Sequence, residues 1–273
     1  MRRLTFVRVV VALAILWCPR VASPQSASSN GMAPLWTVHI DEVLPGKEEE
    51  FERLNIAENQ GVHKILRNYG QPSKPVYEIV TTGAVYLSMR PKPSFTDFDA
   101  PSTIPDSVSR LFSTVTDTLD TPIHAALKFH HNEIWRYHKT DSYIPATPGY
   151  VLTTPGYIQL FSERVIPGKE ERYGELVDSL NAALKRSNYP LCVLMFTSSY
   201  GDGAYKYFWQ ADSREAFLKA GDRAAVLTAV FGKRVAQQML VDLKSCLHSS
   251  EIVDARARRD FAESEAWLGM PSR

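Results

Sequence analysis

Val43-Leu44-Pro45-Gly46-Lys47-Glu48-Glu49-Glu50-Phe51 is echoed 122 residues later, counting from Pro45 to Pro167, as Val165-Ile166-Pro167-Gly168-Lys169-Glu170-Glu171-Arg172-Tyr173. Each copy follows a strand-like run, 36–43 and 157–165, and each leads into an apolar-periodic run that reads as a helix. The echo continues downstream. Gly83-Ala84 answers Gly203-Ala204 at an offset of 120, and Glu133-Ile134 answers Glu251-Ile252 at 118. An offset that drifts so little over so long a stretch marks a duplicated unit with small loop changes.

The second copy shows the order of elements most clearly. After the 157–165 strand, Pro167-Gly168 turns the chain, and Glu170-Glu171 fall in the first helical turn, where carboxylates suit the helix dipole. Tyr173, Leu176, Val177, Leu180 and Leu184 share one helical face. Pro190 stops that helix. Strands follow at 191–198 and 204–210 about the Gly201-Asp202-Gly203 turn. A short helix is expected at 216–218, a longer one over 223–247, and a last strand over 251–255. The first copy matches, with strands at 36–43, 76–81, 84–89 and 133–137 and helices over 48–66 and within 104–129. The order β-α-β-β-α-β predicts α+β architecture: two tandem ferredoxin-like repeats, each a four-stranded antiparallel sheet with helices on one face. The bare faces must be buried, so the two sheets are expected to pack together as an internal pseudo-dimeric α+β barrel. The expected divisions are 1–27, 34–137, 138–156 as linker, 157–260 and 261–273 as tail.

Residues 1–27 have the layout of a secretory signal peptide. Arg2, Arg3 and Arg8 precede an apolar run, Val9 to Trp17, and a small-residue polar exit. Export with cleavage between Ala22 and Ala27 is expected, leaving no membrane span, because the run is short of the roughly 20 residues a span requires. Lys+Arg 31 against Asp+Glu 30, with no basic block, argues against a nucleic-acid partner. Beyond the leader lie Cys192 and Cys246, which could pair in an oxidising compartment or stay as separate buried thiols.

Two passages resemble the dimeric α+β barrel superfamily, which includes antibiotic-biosynthesis-monooxygenase-like (ABM-like) and NIPSNAP-like domains. They are the strand followed by P-G-K-E-E-x-[FY] in both copies, and Tyr207-Phe208-Trp209-Gln210-Ala211-Asp212-Ser213-Arg214-Glu215-Ala216-Phe217. The first copy departs, with Met89 aligned to Trp209 and no Glu-Ala-Phe passage, so any pocket should be asymmetric. The resemblance implies a fold more than an activity, since its members range from cofactor-free oxygenases to haem-handling enzymes and proteins without known catalysis.

No nucleophile elbow, G-x-G-x-x-G, phosphate loop or paired-carboxylate signature occurs. No C-x-x-C or H-x-x-x-H spacing occurs either, so neither a metal nor a cofactor is expected from local motifs. For haem, the helix candidates are His63 and His124, whose counterparts in the second copy are Lys185 and Lys244. His130 and His131 are adjacent and point to opposite sides of a strand, so they cannot easily share an ion. Alternation puts His39 on the side of Thr37 and Asp41, opposite Trp36, Val38 and Ile40. His39, Tyr86 and Tyr207 are the candidate acid–base groups. Trp135, Arg136, Arg164, Lys206 and Trp209 are the candidate ligand-binding residues. The first functional reading is a protein that binds a small hydrophobic or aromatic molecule in an aromatic-lined cavity between the sheets, with or without catalysis as a cofactor-free oxygenase or isomerase. The alternatives are a filled barrel with a structural or interaction role, and a haem-binding enzyme. Because the duplication supplies an internal partner, a monomer is expected.

Overall fold

The computed structural model describes residues 32–70, 77–99, 104–145, 155–258 and Phe261. The leader at 1–27, Pro148 of the linker and the tail beyond Phe261 lie outside the described residues. The first half runs β1 (Leu35–Val43), α1 (Glu48–Asn68), β2 (Tyr77–Thr81), β3 (Val85–Lys92), α2 (Thr96–Asp99), α3 (Asp106–Ala125) and β4 (Leu127–Tyr137). The second runs β5 (Tyr157–Val165), α4 (Glu170–Arg186), β6 (Cys192–Tyr200), β7 (Tyr205–Ala211), α5 (Arg214–Ala220), α6 (Arg223–Phe231), α7 (Lys233–Ser245) and β8 (Leu247–Ala257). No described helix is long and apolar enough to cross a membrane.

The repeated Pro-Gly-Lys passage makes the same turn twice. Lys47 N–H donates to Leu44 O and Lys169 N–H to Ile166 O, both at 3.0 Å. Gly46 and Gly168 take φ of +81° and +87°. Proline presets φ for the second residue of such a turn, and glycine accepts the left-handed third position that a side chain would resist. Three acidic residues then open α1 and two open α4.

All strand pairings are antiparallel, and the strands close into one barrel in the order β1-β3-β2-β8-β5-β7-β6-β4. Closure refines the expected face-to-face packing of two sheets. β2 hydrogen-bonds β8 and β4 hydrogen-bonds β6, so backbone donors on the outer edges are paired instead of left open. The barrel interior holds Trp36, Val38, Ile79, Met89, Trp135, Leu194, Phe196 and Phe208, all nearly or wholly buried. Phe196 sits at the centre of this set, with ring centroids 5.4–6.3 Å from those of Trp36, Trp135, Tyr137 and Phe208. Phe196→Ala is therefore expected to cost about 3–5 kcal/mol, read from urea unfolding. A cost below about 1 kcal/mol would mean the barrel centre repacks freely.

Two sequence expectations are corrected. The helix expected over 223–247 is two helices, because Gly232, at φ +81°, ends α6 and opens α7. Leu247 already belongs to β8. The alignment of Met89 with Trp209 also fails. Thr37 pairs with Arg90, and its counterpart Gln159 pairs with Trp209, so Arg90 occupies the Trp209 position. A one-residue slip flips every side chain to the opposite face. Met89 accordingly faces the barrel, while Trp209 packs beneath the helices.

Cys192 and Cys246 are free and buried, one in the barrel interior and one under the second-half helices. Burial pushes the Cys192 thiol above its usual range.

Candidate functional site

Each half has a cleft between the outer face of its sheet and its helices, and the two clefts differ sharply. In the second half Phe161, Tyr207 and Trp209 on the sheet meet Leu176, Val177, Leu180 and Leu184 of α4. Only about 10 Å³ remains open there. In the first half the corresponding strand positions are His39, Ser88 and Arg90, and α1 offers Asn55, Glu58 and Val62 where α4 has Val177, Leu180 and Leu184. Mostly polar side chains stand where the second half has large apolar and aromatic ones, and the cleft there holds about 510 Å³.

Charge is concentrated within it. Glu78 lies in β2, a strand whose every residue is buried, and is itself 4% exposed. Burial raises its carboxyl to about 7, although the hydrogen bond from Ser88 Oγ and the charges of Arg90 and His39 pull the other way. A carboxyl at that value exchanges protons near neutrality. Glu58, from α1, is also raised, by burial and by Asp120 of α3.

On β1, His39 Nδ1 lies 2.9 Å from Asn132 Oδ1. The amide oxygen accepts, so Nδ1 carries the proton. His39 Nε2 lies 3.0 Å from Asp41 Oδ1. This is an ion-pair distance without hydrogen-bond alignment, for Oδ1 accepts no hydrogen bond among the described residues. The Asp41 contact is the main force holding the His39 imidazole above its ordinary value; burial opposes it. His130, paired with Asp41 across the β1–β4 ladder, completes a cluster whose donor atoms all lie within 4.8 Å of one another. Among the described residues, these three are the group best suited to hold a metal ion. His131 points the other way, into the barrel mouth, as strand alternation requires. His124 lines the cleft edge-on to His130 at 5.1 Å, whereas His63 is buried on α1.

The residues singled out from sequence fall into separate places. His39 lines the first-half cleft. Tyr86 shares the helix side of that sheet but borders another groove, where its hydroxyl donates to Glu52 at 2.7 Å. Tyr207 and Trp209 lie in the filled second cleft, where the Tyr207 and Tyr173 hydroxyls meet at 2.8 Å and burial lifts the Tyr207 phenol above its normal range.

Trp135, Arg164 and Lys206 are brought together in a barrel mouth of about 720 Å³. Lys206 Nζ sits 5.7 Å from the Trp135 ring centroid and donates to Asp202 at 2.7 Å and Ser162 at 2.9 Å. Glu133, also in that mouth, accepts from Trp135 Nε1 at 2.6 Å and Ser198 Oγ at 2.9 Å. Arg136 lies outside both spaces, its guanidinium 5.9 Å from the Phe95 ring centroid. The open spaces are thus lined by mixed polar and apolar groups, while the aromatic cluster expected to line a cavity fills the barrel centre instead.

Sequence reasoning passed over Glu78, Arg90 and Asn132, and saw Asp41 only as a neighbour of His39. For Glu78 a signal was present: a lone carboxylate set among Tyr77, Ile79 and Val80 in a short apolar strand.

The fold is an antiparallel eight-stranded α+β barrel. It is similar to a protein of Fusobacterium nucleatum assigned as a monooxygenase (TM-score 0.50, 11% identity), covering 83% of this chain and 93% of that one. A Lactobacillus acidophilus protein of like assignment aligns with TM-score 0.48 and 9% identity over 86% of this chain and 97% of that one. Chlorite dismutase from Candidatus Nitrospira defluvii, in complex with imidazole, aligns with TM-score 0.46 and 8% identity over 84% and 94%. No protein-family model and no curated protein sequence matches the chain.

Proposed function

We propose that the first-half cleft binds a small, planar, oxygenated molecule and moves a proton on it, making the protein an isomerase- or oxygenase-type member of the ABM-like barrels. In this reading the chain is a tandem pair of ferredoxin-like units. The β-α-β-β-α-β order in each half supports it, as do the matching sheet orders β4-β1-β3-β2 and β8-β5-β7-β6. One unit keeps its cleft as core and the other has opened it as a site.

The carrying observation is that opened cleft, polar where its counterpart is packed with aromatics, with Glu78 poised to exchange a proton. As carboxylate, Glu78 takes a proton from carbon next to a carbonyl; the C–H electron pair remains on the substrate as an enolate. Returning the proton to another carbon is isomerisation. With dioxygen as co-substrate, the same enolate is the electron-rich partner of an oxygenation. Arg90 and Asn132 line the cleft as donors for substrate oxygens. The leader-like residues 1–27 support an exported protein.

A thermal-shift screen against phenols and 1,3-diketones tests the reading. A compound at about a hundred times its Kd stabilises by about 2.7 kcal/mol, several degrees at this size. The shift should vanish in Asn55→Val/Glu58→Leu, which installs the second half's side chains, and persist in Lys206→Met. The opposite pattern would move the site to the barrel mouth. No shift with any compound would favour a structural or interaction role.

A further inference from the structure

We infer that His39, Asp41 and His130 form a binding site for one divalent transition-metal ion at the β1–β4 edge of the first-half cleft. The inference deepens the proposed function and rests on it only for what such an ion would act upon, a substrate oxygen in the cleft.

The argument begins with Asp41. It is 4% exposed, yet its Oδ1 accepts no hydrogen bond among the described residues. A buried carboxylate oxygen without a partner is costly, so a cation is expected beside it. The second half meets the same demand. Glu163, at the position matching Asp41, receives the Arg223 guanidinium at 2.7 Å. In the first half the side chains facing the acid are imidazoles instead.

His39 sharpens the case. Its Nδ1–H is committed to Asn132 Oδ1, so in the neutral ring Nε2 presents a lone pair toward Asp41 Oδ1, 3.0 Å away. Two lone-pair atoms at that distance repel unless a positive charge lies between them. Either a proton or a metal ion meets the need, and the geometry favours the metal. Hydrogen-bond alignment is missing, whereas two ligands each about 2.1 Å from one ion, at right angles, are separated by about 3 Å. His130 supplies a third donor from the neighbouring strand. Asn132 would then be the outer partner that fixes the ligand's tautomer. Two imidazole nitrogens and one carboxylate oxygen suit zinc or ferrous iron and their neighbours more than magnesium or calcium, and leave positions open toward the cleft.

Cobalt(II) titration of the metal-stripped protein tests this, using visible absorption and calorimetry as readouts. One equivalent should bind and give visible cobalt bands, weak for a six-coordinate ion and intense for a four-coordinate one. Asp41→Asn and His130→Ala should each weaken binding by about 100-fold or more, and Asn132→Ala by about 10- to 100-fold. His124→Ala should bind as wild type does. His130 is exposed, so its variant tests the site even if Asp41→Asn does not fold. Absence of cobalt binding at millimolar metal would overturn the inference, as would binding unaltered in His130→Ala. Cobalt binding is read without any cleft ligand. A metal that binds while the screen finds nothing would sink the proposed function alone, and a ligand that binds while cobalt does not would sink only the metal site.

Discussion

Glu78→Gln should make the protein more stable than wild type by roughly 3 kcal/mol at pH 8, and should abolish the proton transfer proposed for the cleft. The folded-state carboxyl is raised from 4.5 to about 7, with burial as the leading cause. Below pH 4.5 both folded and unfolded chains hold the proton, and the residue makes no pH-dependent contribution. Between 4.5 and about 7 the unfolded chain releases it while the folded chain retains it, so stability falls as pH rises. Above that window the folded protein carries a buried carboxylate and the deficit is complete. Glutamine cannot ionise, and its amide oxygen still accepts from Ser88. Chemical denaturation of both proteins from pH 4 to pH 8 should therefore show two curves that coincide in acid and diverge toward neutrality. Parallel curves would mean that Glu78 is an ordinary carboxylate and cannot be the base. A substitution that stabilises the fold while removing function is the expected mark of a strained site residue.

Arg223→Met should have the largest destabilising effect among polar substitutions in the second half, about 3–5 kcal/mol. Arg223 Nη1 donates to Glu163 Oε1 at 2.7 Å, and Tyr173 donates to the other carboxylate oxygen at 2.7 Å. The guanidinium also lies 4.8 Å from the Phe161 ring centroid and 5.5 Å from that of Tyr207. Its removal leaves Glu163, 2% exposed, as a buried charge without its counter-ion. Replacing both members by Glu163→Leu and Arg223→Met should recover most of the loss, because a buried ion pair and an apolar pair of similar volume are often nearly equivalent. Thermal unfolding of the single and double variants reads the result. A double variant as unstable as the single one would show that the carboxylate has a further structural task, such as anchoring Tyr173.

The two halves share a fold but differ in what fills the space beneath their helices. Both place an acid at the same point of the first strand, Asp41 and Glu163. The second surrounds it with a guanidinium and three aromatic rings; the first surrounds it with imidazoles, an amide and open space. Backbone architecture depends on the strand alternation and the Pro-Gly turn that both copies retain. The cleft depends on a few outward-facing side chains, which can change without altering either.

What the sequence determined by itself was the order of strands and helices along the chain. The Pro-Gly-Lys-Glu-Glu passages mark each turn and helix start, and alternation in β1 already set His39 with Thr37 and Asp41, opposite Trp36, Val38 and Ile40. Those signals are local, carried by residues within a few positions of one another. The closure of the barrel through β2–β8 and β4–β6, the pairing of Arg90 with Thr37 and the meeting of His130 with Asp41 were decided only by tertiary structure. Each depends on which residue of one strand lies opposite which residue of a distant one. A one-residue shift of register, invisible as chemistry in the chain, turns a side chain from the barrel to the cleft. Glu78 shows the same division: the sequence displays a carboxylate in an apolar strand, but only the folded chain removes it from water and brings Ser88 and Arg90 to it.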